Sequence, residues 1–473
     1  MTHMTEIEHA CGVTLWSEVR ALVKTALPLG VGELSQMAMG VSDSMLLGRL
    51  GPDALAVAAL STTFYFTVTA TARAALGAGG VFIARAFGGQ RVRDIAVVHA
   101  MTVVMGLLMC VPCALVLANA GRFLLWIGEP PEIAALSGRF IHILCWSLPA
   151  SIVGVGVPYE VLPALRAQKV LLWLMPSALV LNVLLNAGLV FGLAGLPRMG
   201  LWGSATATMV TGWGCGVALY GVLLGASRRR VVLWPPRGDW SMLVRLLRFG
   251  LPMSIAAAAE VMMFQASGLR AGFFGMQALA AHGIALNVTT MTFMVSFAMA
   301  QAANMRVGHL MGAGRVGQVR KAATAALGLV VAYSAATALV LLMLPGWIAG
   351  LYMGGAPSGR ETVALAAVLL GVAALYQVVD GIQVMLMNLL RAFGDSLVPM
   401  LLAGVGYWFI GFPVGGWLAF QRGWGVAGLW WGLAVGLASV SLMLAIRFFV
   451  MRSRLVAGAR SAASPNVAET WPR

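Results

Sequence analysis

Charge is what this chain has least of. Only 10% of its 473 residues are Asp, Glu, Lys or Arg, against 60% hydrophobic, and the mean hydropathy is +0.89. That balance excludes a soluble globular protein, which has no use for so much apolar surface. Acid is scarcer than base, 16 residues against 31, for a formal net charge of +15. In a soluble protein such an excess would point to nucleic acid. In an apolar chain it reads as a positive-inside bias, and no nucleic-acid partner is expected. Cysteine is sparse and scattered: Cys11, Cys110, Cys113, Cys145 and Cys215. Cys110 and Cys113 form CVPC, but within an apolar run, so they read as packing residues and no disulfide is expected. The first twenty residues mix His, Glu and Arg without an apolar core or a small-residue cleavage site. A cleavable signal peptide is therefore not expected there, and the segment reads as a short amphipathic helix on the cytoplasmic surface. No loop gathers histidines or paired acids, and His99, His142 and His282 stand alone, so an integral-membrane enzyme is not expected.

What is present is a recurrence of apolar runs of about 20 residues along the whole length, the mark of an all-α polytopic membrane protein. Twelve spans are expected, at roughly 20–48, 54–76, 94–118, 136–158, 168–193, 200–224, 243–269, 278–303, 322–344, 361–390, 397–420 and 425–450. Their connections carry charge unevenly. One set holds Arg85, Arg91 and Arg93, then Arg166 and Lys169, then the basic stretch from Arg228 to Arg248, then Arg315, Arg320 and Lys321, then Arg391, and in the tail Arg447, Arg452, Arg454 and Arg460. By the positive-inside rule that set is cytoplasmic, and an even number of spans puts both termini there too, in the inner membrane of a cell.

The chain divides in two and the halves match. A cytoplasmic segment 1–19 precedes an amino lobe 20–224; a basic linker 225–242 leads to a carboxy lobe 243–450 and a cytoplasmic tail 451–473. GPDALA at 51–56 answers GMQALA at 275–280, ALP at 26–28 answers GLP at 250–252, and Gly88 answers Gly312, all at an offset of 224. Parallel repeats of this kind are a transporter architecture with the site near the bilayer midplane.

Polar side chains inside the spans mark where such a site would lie. A carboxylate at membrane depth costs about 2.5 kcal/mol or more on insertion scales, so it is kept where it faces protein, water or an ion. Glu260 falls near the middle of span seven. In span ten, Tyr376, Asp380 and Gln383 share a face; in span one, Glu33, Gln36 and Asp43 do. Span five has Asn182 and Asn186 one turn apart, and span six has Thr206, Thr208 and Thr211. Each cluster is a candidate cation site, because hard oxygen ligands suit Na⁺ and carboxylates can instead carry a proton. The neutral members also suit interhelical hydrogen bonding, Thr208 and Thr211 lean towards bonding their own backbone, and Asp43 could pair with Arg49.

The span-one stretch ALPLGVGELSQMAMGVSDSMLLGRLG, LPMSIAAAAE followed by ALAAHGIALN, RVGHLMGAG after span eight, and YQVVDGIQVMLMNLLRAFGD in span ten resemble the MATE family of multidrug and toxic-compound extrusion transporters, in its bacterial NorM-like branch. The resemblance covers about residues 20–450. It implies two pseudo-symmetric six-helix bundles forming a V, and antiport of organic cations, drugs or amphiphilic metabolites against inward H⁺ or Na⁺. It implies that Glu260, Asp380 and Tyr376 form the carboxy-lobe cation site, with Glu260 and Asp380 holding Na⁺ if sodium is the coupling ion. Asp43, Asn182, Asn186 and Thr206 match the amino-lobe polar cluster; Glu33, Gln36 and Gln383 are further candidates. Position 186 is Asn where some archaeal members have Asp, and Gly283 follows the span-eight His where the family often has Gln. No cofactor beyond the coupling ion is expected, the partners are a small amphiphilic or cationic substrate and the lipid bilayer, and the expected state is a monomer. A flippase for lipid-linked precursors, related in fold, is the alternative; it would carry a more basic centre than these acidic spans suggest.

Overall fold

The structure, a computed structural model, describes residues 14–193, 195–227, 239–353 and 359–462. Most of the amino-terminal segment and of the basic linker, and the end of the tail, lie outside the described residues. All regular structure among the described residues is helical. The elements are α1 (Leu15–Gly48), α2 (Pro52–Gly88), α3 (Val92–Ala118), the short α4 (Ala120–Trp126), and α5 (Pro131–Cys145), which runs on through a π-helical stretch, Ala150–Gly156, into α6 (Val157–Ala164). Next come α7 (Leu171–Phe191), α8 (Leu201–Ser227), α9 (Trp240–Gly272), α10 (Met276–Gly312), α11 (Val316–Met343), α12 (Pro345–Met353) and α13 (Arg360–Ala392). α14 (Leu397–Gly404), α15 (Phe412–Gly416) and two π-helical stretches, Val405–Gly411 and Trp417–Gln421, make one further span before α16 (Gly425–Ala462).

Ten of these are long and apolar enough to cross a membrane, and α5 with the helix Ala150–Ala164, bent by 41° at the break between Cys145 and Ala150, makes an eleventh. α1 is long enough at 34 residues, but Glu33 and Gln36 lower the hydropathy of its middle. Counting it gives the twelve spans that the apolar runs imply.

The internal repeat is visible in the element bounds. α2 and α10 are each 37 residues long, and both their first and their last residues stand 224 apart. Each follows a glycine in the left-handed region, Gly51 at φ 126° and Gly275 at φ 94°, where an L side chain would be strained. The same sharp reversal therefore starts both helices.

The residues fall into two compact units, Leu27–Ala258 and Met1–Ala26 with Ala259–Arg473. Both boundaries lie inside helices, α1 and α9. In the first unit, the early part of α9 packs on α2: a Cβ on Gly250 would come 2.6 Å from the Ala75 carbonyl oxygen, and the Ser254 hydroxyl donates to the Thr71 carbonyl at 2.7 Å. In the second unit the start of α1 is tied to α10 by a two-pronged ion pair. Arg306 donates from Nε to Glu18 Oε2 at 2.9 Å and from Nη2 to Glu18 Oε1 at 2.7 Å, and Glu18 is fully buried. α13 is the axis of this unit, packed against α10, α11, α12 and α16, and half of its apolar window is buried, the largest share of any span.

Candidate functional site

The acid of α1 sits among neutral donors. Asp43 is 5% exposed. Asn186 Nδ2 on α7 donates to its Oδ1, and the Thr208 hydroxyl on α8 donates to its Oδ2 at 3.1 Å. Among the described residues no ion pair joins Asp43 to Arg49. Asn182, one turn before Asn186, is buried with neither amide atom bonded to protein, and Asn186 Oδ1 is likewise unbonded. One carboxylate and two amides therefore share this interior. Thr206 does not join them. Its hydroxyl bonds the Trp202 carbonyl at 2.9 Å, because two residues along an α-helix turn a side chain through about 200°. Thr208, which reads as structural in the sequence, is the threonine that reaches Asp43.

Glu33 and Gln36 belong to a different group in the same unit. Gln36 Oε1 accepts from Arg73 Nη1 at 2.9 Å, and Glu33, half-buried, lies against the Tyr159 hydroxyl and within the field of Arg73. Arg73 is in the middle of α2 and is absent from the polar residues singled out above. The signal was available: it is the one basic residue in the apolar run 54–76.

The second acid site lies inside the other unit. Asp380 on α13 is 4% exposed, and its Oδ1 has no protein partner. Glu260 on α9 acts on it electrostatically, and the Tyr407 hydroxyl, from the π-helical stretch after α14, lies against Glu260. Gln383 Nε2 donates to the Tyr407 hydroxyl oxygen at 2.7 Å and leaves its own Oε1 unbonded. Tyr376, one turn before Asp380, places its hydroxyl near Thr289, and its ring lies 5.7 Å from that of Trp430. Trp430 Nε1 in turn donates to His282 Nδ1 at 3.1 Å, so the neutral imidazole carries its proton on Nε2. The structure thus brings Glu260, Asp380, Tyr376 and Gln383 into one interior. It adds Tyr407, Trp430 and His282, of which the sequence offered only hints: a lone tyrosine in an apolar span and a lone histidine. Among the described residues no three His, Cys, Asp or Glu side chains gather as metal ligands. A cation held here would take two carboxylates and the neutral oxygens of Gln383 and Tyr407, an all-oxygen set that fits Na⁺.

The sequence pattern of the MatE family matches residues 28–187 and 252–417, two segments whose starts stand 224 apart, as in the internal repeat. The chain is 42% identical over 438 residues to the multidrug resistance protein NorM of Burkholderia vietnamiensis, covering 92% of this chain and 95% of that one. It is 35% identical over 451 residues to a probable multidrug resistance protein NorM of Rhizobium meliloti, covering 93% and 94%. Its fold is similar to the crystal structure of the eukaryotic MATE transporter AtDTX14, with a TM-score of 0.84 at 21% identity over 95% of this chain and 99% of that one. A MATE protein in a bent conformation gives a TM-score of 0.83 at 18% identity over 95% and 100%.

Proposed function

The chain belongs to the MatE family, and from that premise we propose that it is a multidrug efflux transporter that exports amphiphilic organic cations in exchange for inward H⁺ or Na⁺. The observation that carries this reading is the approach of half-buried Glu260 to buried Asp380 beside Tyr407 and Gln383, with the Arg391 charge also acting on Glu260. Two negative charges in a low-dielectric interior repel, and a proton or a cation relieves that repulsion. A coupling site needs such a charge-dependent preference. The ion can shift the transporter between states only by its differential affinity for them. Asp43 with Asn182, Asn186 and Thr208 is the corresponding candidate in the other unit, with one carboxylate instead of two. The arginine-rich connections support a topology with both termini in the cytoplasm, and an inner-membrane location accords with it. As each candidate site is complete within one chain, a monomer suffices.

The test is efflux from proteoliposomes holding a fluorescent organic cation, first under an imposed pH gradient and then under an imposed Na⁺ gradient. Efflux driven by at least one of them is expected. Efflux driven by neither would remove antiport as the mechanism.

A further inference from the structure

Between α5 and α8, in the first unit, runs an open groove of about 830 Å³. Arg139, His142 and Trp146 line it from α5 and the residue that caps it, and Trp202, Met209 and Trp213 line it from α8. None of these belongs to the Asp43 or Glu260 groups. Arg139, His142 and Trp146 recur every three to four residues and are exposed, while Phe140, Ile141 and Leu144 on the other side of α5 are buried. The groove therefore lies on the outward face of a membrane helix. Among the described residues neither Arg139 nor His142 has an ion-pair or hydrogen-bond partner, and no acid lines the groove. A guanidinium within an apolar span is costly unless an anion meets it. The polarity also changes along the groove. α7 crosses the membrane between α6 and α8, so α5 and α8 run inward from the same side. At 1.5 Å per residue, Arg139 stands about 12 Å from the start of α5, where its long side chain can reach back to head-group level. Trp213 and Trp146 stand about 18 and 22 Å from the starts of their helices, past the interface where tryptophan usually gathers. Trp213 Nε1 donates to the Trp146 carbonyl at 3.1 Å, which joins the two walls at this inner, aromatic end.

We propose that this groove binds one anionic phospholipid of the surrounding bilayer. The phosphate takes the guanidinium fork of Arg139, with the His142 imidazole as a second donor, and an acyl chain lies along Met209, Trp213 and Trp146. The planar fork matches a phosphate oxygen pair as no neutral side chain can. Charge complementarity selects the occupant: a permanent cation without an acid favours a lipid of net negative charge over a zwitterionic one, and disfavours an organic cation. The volume lies within the range of about 300–1,000 Å³ usual for small-molecule sites, enough for a head group and part of a chain. The site is independent of the export reading, because it uses no residue of either acid cluster.

The test is equilibrium binding to the purified full-length protein in detergent. Phosphatidylglycerol with dibrominated acyl chains is titrated in, and tryptophan fluorescence is followed, since bromine quenches the indoles it touches. Phosphatidylethanolamine with the same chains is the comparison. The wild type should show a saturable quench with a midpoint several-fold lower for phosphatidylglycerol. Arg139→Gln should raise that midpoint about tenfold, the scale of one hydrogen bond to a charged group, and leave phosphatidylethanolamine unchanged. Arg139→Lys, which keeps the charge and loses the fork, should fall between. Trp146→Phe should reduce the depth of the saturable quench and keep its midpoint within about twofold, because its indole is exposed and its bond to Trp213 is made by the backbone. Excess glycerol phosphate should leave the curve in place, as it lacks the chain that the aromatic end holds. Equal midpoints for the two lipids in the wild type would overturn the proposal. So would an unchanged midpoint in Arg139→Gln, an undiminished quench in Trp146→Phe, or displacement by glycerol phosphate.

Discussion

At the scale of single residues, identical side chains two positions apart do different work. Thr208 donates to Asp43, while Thr206 is spent on its own helix. Thr208→Val should weaken export by about tenfold or more, about 1.5 kcal/mol at the least for one hydrogen bond to a charged acceptor, and Thr206→Val should leave it within about 0.5 kcal/mol. Asp43→Asn should impair export while the protein still reaches the membrane. Transport rates from vesicles with matched protein content check all three, and an indifferent Thr208→Val would detach the α8 face from the site. For the paired acids, Glu260→Gln and Asp380→Asn remove a charge with little change of shape. Each should abolish gradient-driven efflux yet allow counterflow of substrate, and neither should harm folding, since losing a buried charge lowers the insertion cost. Full gradient-driven activity in both variants would move the coupling site to Asp43.

At the scale of elements, the carboxy-unit site depends on a seam of glycines. Gly406 and Gly411 face Gly436 across the last two spans, Gly415 faces Gly432, Gly428 lies against the backbone of Leu418 and Ala419, and a Cβ on Gly432 would overlap the Gly415 backbone. Backbone contact this close leaves no room for side chains and holds the two spans in one register, as small residues do in membrane helix pairs. Tyr407 follows Gly406, and Trp430 precedes Gly432 by two residues, so the seam also sets where both aromatic groups of the site sit. Gly432→Val should lower the thermal midpoint in detergent, with a cost of at least about 1–3 kcal/mol for the overpacking, and should impair transport together with it. Gly221→Ala on α8, where a Cβ would meet nothing within 4 Å, should be neutral or slightly stabilising. Equal midpoints for the two variants would show that the seam is not under tension. Outside the membrane, Asp239 accepts from the Ser241 hydroxyl at 2.6 Å and the Ser241 amide at 2.9 Å, which caps the start of α9 and holds its carboxyl below the usual 3.8. A carboxyl lowered on folding stabilises the helix start above 3.8, and the contribution fades as pH falls through the folded value.

At the scale of the whole molecule, charge decides orientation and repetition decides architecture. The arginine-rich connections are predicted to be cytoplasmic. Arg93, exposed at the start of α3, lies in one of them. Arg93→Cys, made in a background without other reactive thiols, should resist a membrane-impermeant reagent in intact cells and react once the membrane is opened. Labelling from outside would invert the topology. The ion pair of Glu18 with Arg306 joins the start of the first helix to a helix that begins some 260 residues later, which ties the first turns of α1 into its unit.

The sequence by itself determined what is local and periodic. Apolar runs fix the spans because backbone polar groups in lipid must be satisfied within a helix. The offset of 224 fixes the repeat, and the two matched family segments and the bounds of α2 and α10 follow it. That Asp380 and Asp43 are acids within such runs is legible in the sequence, and both are buried. What the tertiary structure decided is the set of partners. Which side of a helix meets which neighbour depends on how each helix is rotated about its own axis, and because Thr206 and Thr208 project about 200° apart, only that rotation decides which of them meets Asp43. Packing likewise brought Tyr407 to Glu260, His282 to Trp430 and Arg73 to Gln36, pairs separated by 147, 148 and 37 residues, and no pattern of hydropathy along the chain encodes them. The boundaries of the two units fall inside α1 and α9 for the same reason. A continuous apolar helix gives no sign in its sequence of the residue at which it passes from one set of packing partners to another.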